Sequence, residues 1–157
     1  MPRPLGYRRI VVPISDNAES EKAMDVACRL AAEHGASITL VAVVEVPTLL
    51  PLDAHMVEEE THSHRLIERA AAIADSYGVG VTHRILRARE PGRAIVDEAA
   101  TTNPEILVIG APRKNGALGR TGVFGTTVEY VLKRAPCRVM VIGTPHRAAQ
   151  AVHDAAA

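Results

Sequence analysis

The feature of this sequence that most constrains its fold is a repeated alternation between short apolar runs and longer stretches with helical periodicity. The apolar runs are rich in β-branched residues and are short enough to be strands buried on both faces; they cover residues 8–14, 37–46, 79–86, 105–110 and 137–142. Helical spacing of apolar residues occupies residues 19–35 and 56–77, a stretch that begins at Pro91, and residues 126–135. This alternation predicts an α/β domain: a five-stranded parallel sheet with helices on both faces and right-handed crossovers.

The strand order decides where such a sheet binds ligands. Open parallel sheets bind them outside the carboxyl ends of the strands, where the strand order reverses. With the order 3-2-1-4-5, this edge receives residues 14–17 after the first strand, Glu45 after the second, and the segment 110–127 after the fourth. We therefore expect these three segments to meet in one crevice.

Length and composition limit the class of protein. A chain of 157 residues fits one domain, 1–157, for which we expect a core at about 8–142 and a mobile tail at 143–157. A net charge of zero argues against a general nucleic-acid binder. No apolar run reaches the ~18 residues that span a bilayer, so we expect no direct membrane insertion. Cys28 and Cys137 each lie in an apolar pattern, as buried reduced thiols of a cytoplasmic protein do.

The segment 110–127 is the most distinctive stretch of the chain. It carries five glycines, three basic residues and no acidic residue between a strand and a helix. Gly125 would let the backbone approach a ligand, and the N-terminus of the following helix attracts anions such as phosphate. Thr126 and Glu129 have the spacing of a capping box, which would occupy the Thr126 hydroxyl. The alternative interpretation is that the loop is merely long.

Several functional classes lack their motifs. The segment is neither a Walker motif nor a G-x-G-x-x-G fingerprint, and no Ser-His-Asp or Cys-His arrangement stands out. We expect no enzyme, and any ATPase activity to be slow and incidental. His55, His62 and His64 lack the spacing of a metal site and are interpreted as a solvated helix face. We expect no metal beyond nucleotide-bound magnesium.

Two stretches of the sequence together resemble the universal stress protein family. These are VVPISDNAESEKA, which contains a strand, a turn and the start of a helix, and GTTVEYVLKRAPCRVMVI near the end. The resemblance covers about residues 8–142. It implies a five-stranded sheet of the adenine-nucleotide α-hydrolase-like group and a homodimer that forms through strand 137–142.

Nucleotide-binding members of this family carry Gly-x-x-Gly, nine further residues and then Gly-Ser/Thr. Gly110 matches the first glycine, whereas Arg113 replaces the second and is separated from Gly125 by eleven residues rather than nine. Gly116 takes the missing role only if the loop is shifted. Ser15 stands where those members carry an aspartate that reaches the nucleoside. The resemblance implies a cofactor-binding site made of Ser15, Val43 (through its backbone), Gly110, Arg113, Gly116, Gly125, Thr126 and Thr127.

The differences from nucleotide-binding members at Ser15 and Arg113 have opposite expected effects on nucleotide binding. Two functional hypotheses therefore stay open. Loss of the aspartate weakens nucleoside recognition, while Arg113 and Lys114 strengthen the attraction of an anion. The first hypothesis is a stress-response regulatory domain that binds ATP, another adenine nucleotide or another phosphate-bearing ligand. The alternative is a dimeric interaction module without ATP, such as the cytosolic domain of a membrane transporter, because loop 110–127 also resembles permease-associated domains of this family. A ligase or nucleotidyl-transferase is disfavoured because no His-x-x-His or Lys-rich adenylation signature is present.

Overall fold

The strands and helices alternate along the whole described chain. The computed structural model describes residues 6–112 and 125–145. The elements are β1 (Arg9–Pro13), α1 (Ala18–His34), β2 (Ser37–Glu45), α2 (Val57–Ser76), β3 (Val81–Ala88), α3 (Pro91–Thr102), β4 (Ile106–Gly110), α4 (Gly125–Arg134) and β5 (Arg138–Ile142). Most boundaries lie within one or two residues of those predicted from the sequence.

The sheet has the predicted architecture. Its five strands are ordered β3-β2-β1-β4-β5, and every neighbouring pair is parallel. The fold class and strand order predicted from the sequence are therefore confirmed. The predicted third strand began too early, because the N–H of Val79 donates to the carbonyl of Ala74 and so belongs to the C-terminal turn of α2. The ladder to β2 starts with the carbonyl of Gly80, which accepts from Ile38.

The core lies on both faces of the sheet. On one face, side chains of β1, β2 and β4 pack against α1 and α2; on the other face, their neighbours in sequence pack against α3 and α4. Ile10 and Val12 belong to the first layer and Val11 to the second, and all three are at most 2% exposed. Because successive residues of a strand point to opposite faces, a strand covered on both sides is apolar throughout, as β1 is.

The helices of the structure were compared with the length and hydropathy that a membrane span requires. Among the helices of the described ranges, none is long and apolar enough to cross a membrane. The cytoplasmic location expected from the sequence stays a prediction.

After β5, the hydroxyl of Thr144 donates to the carboxylate of Glu19 at 3.2 Å, which attaches the end of the described chain to α1. The rest of the tail, 146–157, lies outside the described residues.

Candidate functional site

A cleft opens where the carboxyl ends of β1, β2 and β4 meet the first turn of α4. Its volume is about 340 Å³, within the range of small-molecule sites. The sequence-predicted site residues that the structure describes all line it: Ser15, Val43, Gly110, Gly125, Thr126 and Thr127. The other two, Arg113 and Gly116, lie outside the described residues. The three chain segments expected at this edge of the sheet thus come together in one cavity.

The cleft exists beside β2 because β1 ends before its neighbour does. The last register pair of these strands joins Pro13 to Val41, whereas β2 continues to Glu45 and stays paired with β3 up to Ala88. Beyond Pro13 one more bond follows, from the N–H of Ile14 to the carbonyl of Val41 at 2.9 Å. The segment Ala42–Glu45 therefore has a neighbouring strand on one side only.

Backbone alternation directs the N–H and C=O of Val43 toward this open side. The carbonyl of Val41 points toward β1, while the N–H of Val46 points toward β3, where it donates to Ala88 at 2.8 Å. N–H and C=O groups of a strand residue point to the same side and alternate along the strand. The N–H and C=O of Val43 consequently point into the cleft, and within residues 6–112 and 125–145 neither has a hydrogen-bond partner. They form a free donor–acceptor pair of the kind that binds the edge of a base.

The turn between β1 and α1 is held by its own side chains. Asn17 is the N-cap of α1 and accepts from the N–H of Ser20 at 2.8 Å, while the hydroxyl of Ser20 accepts from the N–H of Ser15 at 2.9 Å. Glu19 and Glu21 lie in the first turn of α1. The N-terminus of α1 is therefore capped and surrounded by negative charge, so it does not attract an anion. The hydroxyl of Ser15 remains exposed at the cleft.

The N-terminus of α4 is arranged in the opposite way. No acidic residue lies in its first turn, and Lys133 and Arg134 lie in its last turn. Gly125 has a φ of 78°, a left-handed conformation that favours glycine, and α4 winds on from there. The first amides of a helix have no partner within it, and among the described residues the N–H groups of Thr126, Thr127 and Val128 have no backbone partner outside the helix either. This end of the cleft is suited to an anion.

The capping box predicted for α4 is wrong. It required Thr126 to precede the helix, but α4 already begins at Gly125, so Thr126 lies inside the first turn. No hydrogen bond between the Thr126 hydroxyl and the amide of Glu129 is present in the described part of the chain. The conflict between capping and phosphate binding at Thr126 therefore disappears.

A second cavity, of about 490 Å³, adjoins the cleft on the α2 side of β2. It shares Ile14, Ser15, Val43 and Glu45 with the cleft and is otherwise lined in part by acidic side chains of α2. At its edge, Nε2 of His62 lies 3.2 Å from a carboxylate oxygen of Asp16. His55 and His64 are exposed, and the described residues contain no group of three potential metal ligands.

Some residues that shape the cleft were not predicted from the sequence. Asn17 and Ser20 line it and hold the turn beside Ser15, and Pro91, Ile95 and Val128 give it an apolar wall. The Asn-x-x-Ser spacing before an amphipathic helix is an N-cap signal that would have identified the first pair. The apolar wall has no such signal, because it depends on how α3 and α4 pack on the sheet.

Most of this chain is similar to known proteins of one family. The model of the universal stress protein family matches residues 6–143. A universal stress protein of Methanocaldococcus jannaschii is 27% identical over 149 residues, which are 90% of this chain and 85% of that protein. A universal stress protein of Mycolicibacterium smegmatis is 31% identical over 156 residues, 92% of this chain but only 50% of the relative.

Solved structures share the fold at lower identity. A universal stress protein from Archaeoglobus fulgidus superposes with a TM-score of 0.71 at 21% identity, over 87% of this chain and 98% of that one. A universal stress protein from the same organism in complex with dAMP superposes with a TM-score of 0.68 at 22% identity, over 87% of this chain and 98% of that one. A universal stress protein in complex with cAMP superposes with a TM-score of 0.68 at 20% identity, over 89% of this chain and 99% of that one.

Proposed function

Because this chain belongs to the universal stress protein family, we propose that it is a stress-response regulatory domain that binds an adenine nucleotide in the cleft at the ends of β1, β2 and β4. Two relatives with this fold were crystallised with the adenine nucleotides dAMP and cAMP, which supports the choice of ligand class. The observation that carries the proposal is the pairing, in one cavity, of a free backbone donor–acceptor pair with the open N-terminus of α4.

Each end of the cleft has a role in this proposal. The N–H and C=O of Val43 bind the edge of the base, in the space that β1 leaves open beside β2. The amides of Thr126, Thr127 and Val128 bind phosphate oxygens, and Gly125 brings the backbone close to them. Arg113, Lys114 and Gly116 are proposed as further contacts on the sequence alone, since they belong to the segment that leads into α4.

Titration calorimetry and thermal unfolding with AMP, ATP and cAMP test this proposal, with magnesium present and absent. We expect saturable binding and an increase in the unfolding temperature at millimolar nucleotide, because a ligand that binds only the folded state stabilises it. Inorganic phosphate is the control for the anion site, and GMP is the control for the base. Absence of heat and of a thermal shift at millimolar adenine nucleotide would dismiss the proposal. No turnover of ATP beyond a slow background is expected.

The alternative function, a dimeric interaction module without nucleotide, rests on a different feature. In the sheet of the described residues, β5 is an edge strand that pairs with β4 alone. The carbonyl of Ile142 accepts from the N–H of Ala111 in the β4 direction, so backbone alternation points the N–H and C=O of Val139 and Val141 away from the sheet. We propose that a second copy pairs with this edge.

Replacement of a single residue tests pairing through β5. Val141→Pro removes an outward N–H without removing a hydrogen bond to β4, and Val141→Ala is the control that keeps the N–H. We expect sedimentation to show a dimer for the wild type and Val141→Ala and a larger monomer fraction for Val141→Pro. Equal dimerisation of all three proteins, or a monomeric wild type, would contradict pairing through this edge.

A further inference from the structure

Glu45 differs in charge from the other residues of the cleft. Among the described residues that line the cavity, it alone carries a charge. It also lines the neighbouring cavity on the α2 side and a third cavity, of about 300 Å³, between the first turns of α3 and α4. Its side chain is exposed, and in the described ranges it makes no hydrogen bond or ion pair. In the described part of the chain, a carboxylate without a partner therefore lies at the carboxyl edge of the sheet.

The fold holds Glu45 in a defined place. It is the last residue of β2, where it pairs with Ala88 in the register of β3. The next residue, Val46, is 1% exposed and bonded to Ala88, and the guanidinium of Arg89 donates to the carbonyls of Val46 and Pro47. Glu45 shares its sheet face with Val41 and Val43, which pack in the α3 and α4 layer. Its carboxylate consequently projects from the same face of β2 as these residues.

The charge distribution of the cleft limits which part of a ligand can lie at Glu45. Free amides at the start of α4 attract an anionic group, whereas a carboxylate repels it and only accepts hydrogen bonds. A ligand that bridges the two must offer a phosphate at one end and hydrogen-bond donors at the other. Ser15, on the opposite wall, has a short uncharged hydroxyl and accepts only a weaker bond than a carboxylate does.

We propose that Glu45 is a specificity-determining residue that selects the sugar of the nucleotide, its carboxylate accepting hydrogen bonds from ribose hydroxyls. The inference rests on the proposed function, because it requires a nucleotide in the cleft. Ser15, at the end of β1, has no carboxylate to offer the sugar. The inference assigns that contact to Glu45 at the end of β2. The ligand class is a ribonucleotide, and removal of the hydroxyls from the sugar removes the contribution of Glu45.

A ligand–variant cycle tests the inference. Calorimetry compares AMP with 2′,3′-dideoxy-AMP for the wild type, Glu45→Gln and Glu59→Gln. The last is the matched control, since Glu59 lines the cavity on the α2 side but not the cleft, and its replacement removes the same charge. We expect Glu45→Gln to weaken AMP about 10-fold and the dideoxy analogue less than 2-fold, given the strength of a charge-assisted hydrogen bond. Glu59→Gln should leave both affinities unchanged.

The outcomes separate the inference from the proposed function. If the wild type binds no AMP, the proposed function fails and the inference fails with it. If the wild type binds AMP but Glu45→Gln weakens both ligands equally, or binds AMP as well as or better than the wild type, the sugar contact is overturned while nucleotide binding stands. Retention of the folded state by each variant is checked by thermal unfolding.

Discussion

Gly110 lies against the backbone of Glu19, so close that a Cβ built on Gly110 would come within 2.4 Å of the Glu19 carbonyl carbon and 2.5 Å of the Glu19 carbonyl oxygen. The end of β4 and the first turn of α1 therefore touch through backbone alone. The glycine that sequence comparison with nucleotide binders assigns to a ligand also has a packing role. This contact brings the end of β4, which lines the cleft, beside the turn that carries Ser15.

The first prediction concerns this contact. Gly110→Ala should lower the free energy of unfolding by at least ~2 kcal/mol, because the clash is with backbone and forces β4 and α1 apart. Urea unfolding measures the change. Gly80→Ala is the control, since a Cβ there meets nothing within 4 Å and the residue has no positive φ; its effect should stay below ~1 kcal/mol. Equal stability of the two variants would contradict the described packing.

The second prediction separates the amide of Thr126 from its hydroxyl. Thr126→Pro removes the N–H at the first turn of α4, where proline suits the backbone, while Thr126→Ala removes only the hydroxyl. We expect Thr126→Pro to weaken AMP about 5- to 10-fold relative to Thr126→Ala in calorimetry, since a charge-assisted hydrogen bond to phosphate is lost. Both variants should unfold within a few degrees of the wild type. Indistinguishable affinities would remove this amide from the phosphate site.

The third prediction concerns the connection between β2 and α2. The guanidinium of Arg87 donates to the carbonyls of Leu52 and Ala54 and pairs with the carboxylate of Glu60. Arg87→Ala should release the backbone of this connection and make its already exposed leucines easier for thermolysin to cleave, with a loss of ~1–3 kcal/mol in the free energy of unfolding. Arg65→Ala, an exposed arginine of α2, is the control. Protease resistance equal to that of the control would show that Arg87 does not hold the connection.

The fourth prediction concerns the two thiols. Burial, with a smaller contribution from the nearby charge of Asp25, raises the pKa of Cys28 from 9.0 to about 11, and burial raises the pKa of Cys137. At neutral pH the thiolate fraction of Cys28 is then ~100-fold below that of an ordinary thiol. Iodoacetamide should leave Cys28 unmodified in the folded protein and react slowly with the half-buried Cys137. Mass spectrometry of digested protein identifies the modified residue.

The same shift has a consequence for stability at alkaline pH. Between pH 9 and 11 the unfolded chain ionises Cys28 while the folded protein keeps it protonated, so the free energy of unfolding falls as the pH rises. The loss approaches ~2 kcal/mol near pH 11. Urea unfolding of Cys28→Ala should lack this part of the pH dependence. A parallel pH dependence of the two proteins would refute the raised pKa.

The strands, the helices and the parallel sheet were predictable because they depend on features local in sequence, whereas the strand order was implied by the family resemblance. Apolar runs such as the one around Val11 have strand length and β-branched composition, and helices such as α1 end at a glycine, Gly35, with a φ of 65°. Parallel pairing and right-handed crossovers then leave few topologies. The placement of Ser15 and Gly125 in one cleft followed from that topology alone.

The fine geometry of the site was not predictable, because it depends on contacts between distant segments. Thr126 has the pattern of an N-cap, but α4 begins at the preceding glycine, and no sequence rule gives a helix boundary to one residue. The free backbone groups of Val43 arise from a difference in length between β1 and β2, which only the register reveals. The close approach of Gly110 to Glu19 likewise belongs to tertiary packing.

The early end of β1 beside β2 has a consequence for how such a domain gains or loses its ligand. The opening beside Val43 depends on where the chain leaves the sheet after Pro13. Continuation of β1 by one further pair would satisfy Val43 with its neighbour and seal the site from within. Substitutions that lengthen β1 beyond Pro13 are therefore expected to close the cleft from the backbone side, with Val43 itself unchanged.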